Sequence, residues 1–171
     1  KTDGTEAGTV MVKDIRSGMS SSYPYQFTLF NGELYFGAND GTKGNEVWKT
    51  DGTEAGTVMV KDIRSGSAAC SPSYFTPFNG ELYFQANDGS KGAELWKSDG
   101  TEAGTVMVKD IYPGSGNSDP KLLTPFKGGL YFSANDGIKG GELWKTGGTE
   151  KSFPWTTCVA GEKVTVNGSA T

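Results

Sequence analysis

An acidic loop recurs three times along the chain, and its residues are of the types that could bind a metal ion. Each copy places amide and carboxylate oxygens beside glycines, and these donors are Asn39, Asp40, Glu46, Asn87, Asp88, Glu94, Asn135, Asp136 and Glu142. Calcium binds through oxygen atoms of this kind. The loop lacks the alternating carboxylates of an EF-hand and carries a central lysine, so an ordinary Asn-Asp-Gly turn is the competing interpretation.

Three tryptophans that repeat in phase with three tyrosines are the second candidate for binding chemistry. The tryptophans are Trp48, Trp96 and Trp144, and the tyrosines are Tyr35, Tyr83 and Tyr131. If the rings lay on an outward strand face, they could stack on sugar rings, and several weak sites would bind by avidity. The alternative is that each tryptophan packs between neighbouring structural units.

The residue types that the chain lacks exclude several kinds of catalysis. There is no histidine, which excludes imidazole acid–base catalysis, His-dependent triads and His-containing zinc sites. Cys70 and Cys158 are too few for a zinc site made of cysteine alone. They could form one disulfide in an oxidising compartment, pair with other chains or stay reduced. Asn167 begins an Asn-Gly-Ser sequon for N-glycosylation. We predict no catalytic residue and no cofactor, with calcium the one ion left open.

Length and charge restrict the class of protein further. A chain of 171 residues suits one domain, and 26 glycines with 12% aromatic residues suit many short strands and tight turns. The net charge of −4 argues against nucleic acid and anionic membrane surfaces as partners. No apolar run approaches the roughly 18 residues of a membrane span, so membrane insertion is not predicted. The chain opens on Lys1 in mid-repeat, and we expect it to be a processed piece of a longer protein.

A repeat of 48 residues organises the positions of all these groups. Aligning the three tryptophans gives a gap-free period and the units 1–48, 49–96 and 97–144. A period of this size is typical of propellers and solenoids. Turn signals, of which Asn79-Gly80 is the strongest, divide each unit into four segments of strand length. The sequence therefore predicts an all-β fold of four-stranded antiparallel β-meander blades, propeller-like, with very little helix.

Each predicted blade must bury its apolar faces against a neighbour. In the first unit the predicted core positions are Phe27, Phe30, Leu34, Phe36, Val47 and Val10, and their equivalents in the other units are predicted to be core as well. Known propellers have about four to eight blades, so three units cannot close a normal ring alone. The chain begins with the last strand of a blade, whose partners we expect from a second copy of the chain, from the tail or from further sequence. The divergent tail, 151–171, is predicted to be a capping strand or a joint.

The letters Glu-Leu-Trp-Lys-Ser-Asp-Gly-Thr at 94–101 resemble the ELWxxDGT repeat, which defines a family of tandem repeats in large secreted or surface-associated proteins. The resemblance covers residues 1–150 and includes the flanking words Ala-Asn-Asp-Gly and Ala-Gly-Thr. It implies a propeller-like β architecture and an extracellular setting, and it implies no catalytic residues. Val47 replaces the leucine in the first copy, and Gly147 replaces the aspartate in the last.

The combined expectation is a non-enzymatic extracellular structural or adhesion module that assembles into a larger surface structure or filament. Its expected partners are other copies of the chain or other subunits of such an assembly, with glycans as a further candidate. The alternative is a carbohydrate- or calcium-dependent binding module, and a third hypothesis is a hydrolase with carboxylates at a propeller mouth. The copies are nearly identical even at surface positions such as Lys49, Thr50 and Glu54, which indicates recent duplication or a repeated contact.

Overall fold

The computed structural model describes residues 1–146, and this part of the chain is all-β. Its strands are β1 (Tyr25–Phe30), β2 (Glu33–Asn39), β3 (Asn45–Thr50), β4 (Val58–Lys61), β5 (Ser73–Phe78), β6 (Glu81–Asn87), β7 (Ala93–Ser98), β8 (Val106–Lys109), β9 (Lys121–Phe126), β10 (Gly129–Asn135) and β11 (Gly141–Lys145). Among the described residues there is no helix that could cross a membrane. The predicted tail, 151–171, with Cys158 and Asn167, lies outside them.

The strands form three antiparallel sheets, in each of which sequential strands are neighbours. The first sheet has the order β1-β2-β3-β4, the second β5-β6-β7-β8 and the third β11-β10-β9. The predicted four-stranded meander is therefore confirmed in the first two sheets. In the third sheet, the 48-residue period puts the fourth strand at 154–157, beyond the described part of the chain. Within residues 1–146 the three sheets close into no barrel or ring.

Two-residue turns join the first two strands of each sheet. Asn79 and Gly80 both have positive φ, 50° and 77°, as a type I′ turn requires, and Phe78 pairs with Glu81 across it. The Asn-Gly signal therefore predicts this turn correctly. Lys127, with φ of 43°, adopts the same conformation before Gly128, although lysine rarely does so. The pairing of β9 with β10 holds the turn where the sequence signal is absent.

The turns that follow the tryptophan-bearing strands are held by an aspartate. Asp51 Oδ1 accepts hydrogen bonds from the Thr53 hydroxyl at 2.7 Å and the Thr53 amide at 2.8 Å. Asp99 makes the same two bonds to Thr101. The hydroxyl bond, followed by the amide bond, holds the pKa of each aspartate below its ordinary value. Both aspartates form turns, as their position before glycine predicts.

Apolar cores lie between successive sheets, which approach each other through their first strands, β1 beside β5 and β5 beside β9. The core between the first two sheets contains Val47, Ile63, Phe75, Phe84 and Trp96. The next core repeats it 48 residues later with Leu95, Ile111, Leu123, Phe132 and Trp144. A smaller core packs Ile15 and Met59 against Phe36, Ala38 and Trp48. Val47 and Leu95 thus face the following sheet, whereas Trp96 and Trp144 face the preceding one.

Two predicted core positions of the first unit are exposed. Phe27 is exposed because no sheet precedes the first one within the described residues, whereas the position of Val10 faces solvent in every repeat, since its equivalents Val58 and Val106 are each 38% exposed. Phe27 is 57% exposed, whereas Phe75, its equivalent one repeat later, is 8% exposed. Val10 is 45% exposed. The core prediction is therefore wrong for Phe27, for Val10 with its equivalents Val58 and Val106, and for Phe126 and Leu143 on the third sheet. The other predicted positions of the first unit are buried or half-buried, namely Phe30, Leu34, Phe36 and Val47.

The strand predicted at the start of the chain is not formed. Segment 9–13 has the letters Thr-Val-Met-Val-Lys, identical to 57–61 and 105–109, which contain β4 and β8. It adopts no strand, and no described strand lies beside it. A strand satisfies its amides and carbonyls through a neighbour. The same five letters therefore differ in structure because their partner differs.

Leu82 on β6 has no exposed surface, so Leu82→Ala should lower the free energy of unfolding by about 2–5 kcal/mol, the usual cost of deleting a buried leucine side chain. Leu29→Ala on β1 is the control, because that side chain is 69% exposed, and it should cost less than about 0.5 kcal/mol. Urea unfolding followed by tryptophan fluorescence measures both. Equal losses would contradict the faces assigned to these strands.

Candidate functional site

The acidic loops are closed by their own backbone amides. In the first loop, Asp40 Oδ1 accepts hydrogen bonds from the Thr42 amide at 2.7 Å and the Lys43 amide at 2.8 Å. The Asn39 side chain accepts one from the Gly41 amide at 2.6 Å. Burial raises the pKa of Asp40, but these amide bonds outweigh it and hold the pKa below its ordinary value. The oxygen atoms predicted as calcium ligands are therefore engaged in forming the turn.

The second and third loops repeat this arrangement. The same amide bonds are made by Asn87, Asp88, Asn135 and Asp136. The central lysine of the loop lies near the aspartate that follows the fourth strand, with Lys43 Nζ 3.6 Å from Asp62 and Lys91 Nζ 3.3 Å from Asp110. The loop lysine is thus placed to hold the end of the meander next to the loop.

The glutamates that precede Trp48 and Trp96 point away from their loops. Glu46, on β3, is fully buried. Its Oε2 accepts a hydrogen bond from the Ile63 amide at 2.8 Å, and its Oε1 accepts from the amides of Arg64 at 3.4 Å and Cys70 at 3.3 Å. Ile63 and Arg64 begin the crossover to the second sheet, and Cys70 lies near its end. One carboxylate therefore ties both ends of the crossover to the first sheet.

Glu94 repeats this arrangement on β7. Its carboxylate accepts the amides of Ile111 at 2.9 Å, Tyr112 at 3.4 Å and Ser118 at 3.2 Å, and also the Ser118 hydroxyl at 2.6 Å. We call a buried glutamate with the crossover amides that it binds the glutamate clamp. Sequence analysis assigned these glutamates to a calcium site and missed the clamp, whose one sequence signal is a glutamate that recurs directly before two apolar residues of a strand.

The clamp separates the predicted calcium ligands from one another. Glu46 and Glu94 bind the crossovers, whereas the asparagines and aspartates bind their own loops. The described part of the chain contains no group of three or more His, Cys, Asp or Glu that could hold a metal ion. Calcium binding stays a prediction, and the structure gives these donors separate structural tasks.

Burial dominates the electrostatics of the clamp. It raises the pKa of Glu46 to about 7, although hydrogen bonds from Cys70, Ile63 and Arg64 oppose it. Burial also raises the pKa of Glu94, against the hydrogen bonds from Ser118 and Ile111. A carboxyl group with a raised pKa usually suggests catalysis. In this fold, the group is closed off from solvent by the crossover that it holds.

Cys70 takes the position in the clamp that a serine takes one repeat later. The Ser118 hydroxyl donates to Glu94, and the Cys70 thiol lies beside Glu46, where burial raises its pKa. Cys70 is almost fully buried and forms no disulfide within residues 1–146. Its predicted partner Cys158 lies outside the described residues, so the disulfide stays a prediction.

The rings of two of the three tryptophans are covered. Trp48 and Trp96 are buried in the apolar cores. Trp144 is half-buried, and its Nε1 donates to the Ala134 carbonyl at 2.9 Å. The positions of Trp48 and Trp96 favour packing between units over stacking on sugars. Trp144 is the copy with open surface.

The open surface of Trp144 lines a cleft of about 350 Å³ between the second and third sheets, which Tyr83, Leu95, Lys109 and Phe132 also border. The equivalent space beside the first sheet holds the turn 98–105. There, Lys61 Nζ donates to the Thr105 carbonyl at 2.7 Å, and Gly100 lies against the Tyr35 hydroxyl. One repeat later, this turn corresponds to residues 146–153, almost all of which lie outside the described residues. The cleft therefore corresponds to a space that a turn occupies one repeat earlier.

The clamp makes stability depend on pH. Because the folded-state pKa of Glu46, about 7, is above that of a free glutamate, its contribution to stability is complete below about pH 4.5 and is lost as pH rises through about 7. We expect the free energy of unfolding to fall by roughly 1–3 kcal/mol over this range. Glu46→Gln should reduce that fall, whereas Glu102→Gln in an exposed turn should retain it. Urea unfolding at a series of pH values measures the slope, and an identical slope in Glu46→Gln would exclude this role.

Because backbone amides already bind the loop oxygens, we predict that calcium does not change the stability of the protein. Adding a chelator to the purified protein should leave the melting temperature unchanged, because Asp40, Asp88 and Asp136 already have hydrogen-bond donors. Differential scanning calorimetry with and without added calcium measures this. A fall of several degrees on chelation, reversed by calcium, would instead support the predicted ion site.

Comparisons of the chain with family models, with curated proteins and with solved structures found no match.

Proposed function

We propose that the protein is a non-enzymatic extracellular structural or adhesion module that assembles, with like or unlike chains, into a larger surface structure. The observation that carries the proposal is the glutamate clamp. Glu46 and Glu94 are the buried acidic residues of the sheets, and the carboxylate of each accepts hydrogen bonds from amides of the crossover to the next sheet. The polar groups best suited to chemistry thus serve to join one repeat to the following one.

A second set of repeated joints supports this proposal. Lys61 Nζ donates to the carbonyls of Glu102 at 3.3 Å and Thr105 at 2.7 Å, both in a turn of the following repeat. Lys13 makes the same bonds to Glu54 and Thr57. Contacts that pass from each unit to its neighbour are the contacts from which repeat arrays are built.

Apolar surface on the first and third sheets supports association with other chains. Phe27 on β1 and Leu143 on β11 are exposed, whereas their interior equivalents Phe75 and Leu95 are buried. In a repeat array, positions that are buried between interior units and exposed at the ends are suited to contact with further units. The array therefore presents surfaces suited to a further repeat.

The propeller-like arrangement and the extracellular setting rest mainly on the 48-residue period and on the resemblance to ELWxxDGT repeats. Propeller blades are four-stranded meanders arranged around a central axis. The approach of β1 to β5 and of β5 to β9 agrees with such an arrangement. Three blades are fewer than a propeller needs, which supports assembly with further sheets.

The mass of the native particle tests the proposal. Size-exclusion chromatography with light scattering should give a particle of at least two chains, in multiples of 18.1 kDa for self-assembly. Dilution should dissociate a self-assembled particle into single chains that remain all-β by circular dichroism. A folded monomer at micromolar concentration that acquires no protein partner would contradict the proposal, and hydrolysis of a polysaccharide would favour the hydrolase hypothesis.

A further inference from the structure

The first and third sheets carry complementary halves of one interior junction. Between the first and second sheets, a complete junction consists of a clamp glutamate, an apolar strand residue, the crossover and the apolar face of the next sheet. The third sheet has the glutamate and the apolar strand residue. Residues 1–24 and the first sheet have the crossover and the apolar face.

The half-junction on the third sheet is uncovered. Glu142 on β11 is exposed, although its equivalents Glu46 and Glu94 are fully buried. Leu143 is 77% exposed, whereas Leu95 is 1% exposed. A Cβ added to Gly92 would collide with the carbonyl oxygen of Gly116 in the next crossover, whereas one added to Gly140 would meet nothing within 4 Å. Strand β11 thus has the form of an interior strand without a crossover against it.

The half-junction at 15–24 already has the conformation of an interior crossover. The Ser22 carbonyl accepts the Asn39 amide at 2.9 Å, as the carbonyls of its equivalents Cys70 and Ser118 accept asparagine amides one and two repeats later. Tyr23 has a φ of 46°, close to the 51° of Ser71. Asp14 accepts the Gly18 amide at 3.3 Å, but within residues 1–146 no carboxylate binds the amides of Ile15, Arg16 or Ser22. Pro24 is exposed where Pro72 and Pro120 are buried. The segment 15–24 therefore already has the conformation that a clamp glutamate binds in the interior crossovers.

We propose that β11 of one copy binds the segment 9–22 of a second copy, head to tail. This inference rests on the proposed function, because it names the partner and the surface of that assembly. The β7–β8 pairing gives the register: Leu143 lies opposite Lys13, Trp144 opposite Met11 and Lys145 opposite Val10. Within one chain the backbone of Lys1 pairs with Val10, so Lys145 displaces Lys1 in this register. Segment 9–13 then becomes the fourth strand of the third sheet, in the manner of an added β-strand.

The same docking completes the clamp. The carboxylate of Glu142 accepts the amides of Ile15, Arg16 and Ser22, which correspond to the partners of Glu46 and Glu94. Leu143 is covered by the first sheet of the second copy, where Phe27 is exposed. One contact therefore buries the large apolar side chains that both half-junctions leave open.

The sequence favours a second copy over the chain's own tail as the occupant of β11. Residues 9–15 have the letters Thr-Val-Met-Val-Lys-Asp-Ile, identical to 57–63 and 105–111. The tail residues in phase with them, 153–159, read Phe-Pro-Trp-Thr-Thr-Cys-Val and match at no position. Two copies joined in this way contribute six sheets, within the range of about four to eight blades in propellers. A head-to-tail contact closes into a ring or continues as a filament, according to its rotation.

Disulfide cross-linking between chains tests the register. In a Cys70→Ser, Cys158→Ser background, chains carrying Val10→Cys and chains carrying Lys145→Cys should form a disulfide-linked pair when mixed and oxidised. Serine at Ser118 indicates that the repeat accepts this background at Cys70. Lys97→Cys with Val106→Cys, paired in β7–β8, is the control for geometry and should link within one chain. No link on mixing, or a link formed only inside one chain that carries both substitutions, overturns the proposal.

Removal of the Glu142 charge tests the clamp separately. Glu142→Gln should weaken self-association about 30-fold or more, as truncating a buried charged partner does, and leave the unfolding of the dissociated chain unchanged. Glu102→Gln, with the same change of charge in an exposed turn, should not affect self-association. Sedimentation velocity over a dilution series measures both. A larger particle that neither cross-links nor responds to Glu142→Gln overturns this junction and leaves the proposed function standing, whereas a monomer overturns both.

Discussion

A buried carboxylate that binds the amides of the following crossover is the constraint on which the rest of this structure depends. The crossovers are small, polar and without period, so their backbone groups need partners wherever the next sheet covers them. The Glu46 carboxylate accepts hydrogen bonds from three amides of one crossover, two at its beginning and one near its end. The path of the crossover, and with it the position of the next sheet, is therefore held by this side chain together with the Asn45 carbonyl, which accepts the amides of Cys70 and Ser71.

This constraint makes the array directional. Each sheet supplies a glutamate and an apolar residue to the sheet after it, and it receives a crossover and a tryptophan contact in return. The interior repeats satisfy both sides, so Leu95 is buried and Leu143 is not, although both precede a tryptophan in the same word. In an array of this kind, stability comes from each unit and from its contacts with neighbours. The surfaces without a neighbour, on the first and third sheets, are therefore the ones to which a further unit could bind.

The meanders, the turns and the spacing of the sheets could be predicted from the sequence because they depend on local patterns. Asn79-Gly80 fixes its hairpin through φ angles that few other pairs adopt. Once the strands of one unit are known, the 48-residue period gives the positions of those in the other units. The clamp could not be predicted in the same way. A glutamate usually marks an exposed position, and Glu46 lies between a loop asparagine and two apolar residues, so the loop was the plausible partner. Segment 9–13 shows the same limit, because the neighbour that determines whether those letters form a strand is not encoded in them.

The three letters Glu-Leu-Trp join three consecutive parts of the array, which explains why the word recurs with so little change. In the copy at 94–96, the glutamate binds the crossover that follows, the leucine packs against the following sheet and the tryptophan packs against the preceding one. Valine replaces leucine at Val47 without loss of burial, since that position needs apolar volume alone. The glutamate has the stricter requirement, because its carboxylate must reach three amides in fixed positions. In the assembly that we propose, a second copy would be bound by the same contacts that fold one chain, so the step from intramolecular packing to assembly requires no new chemistry.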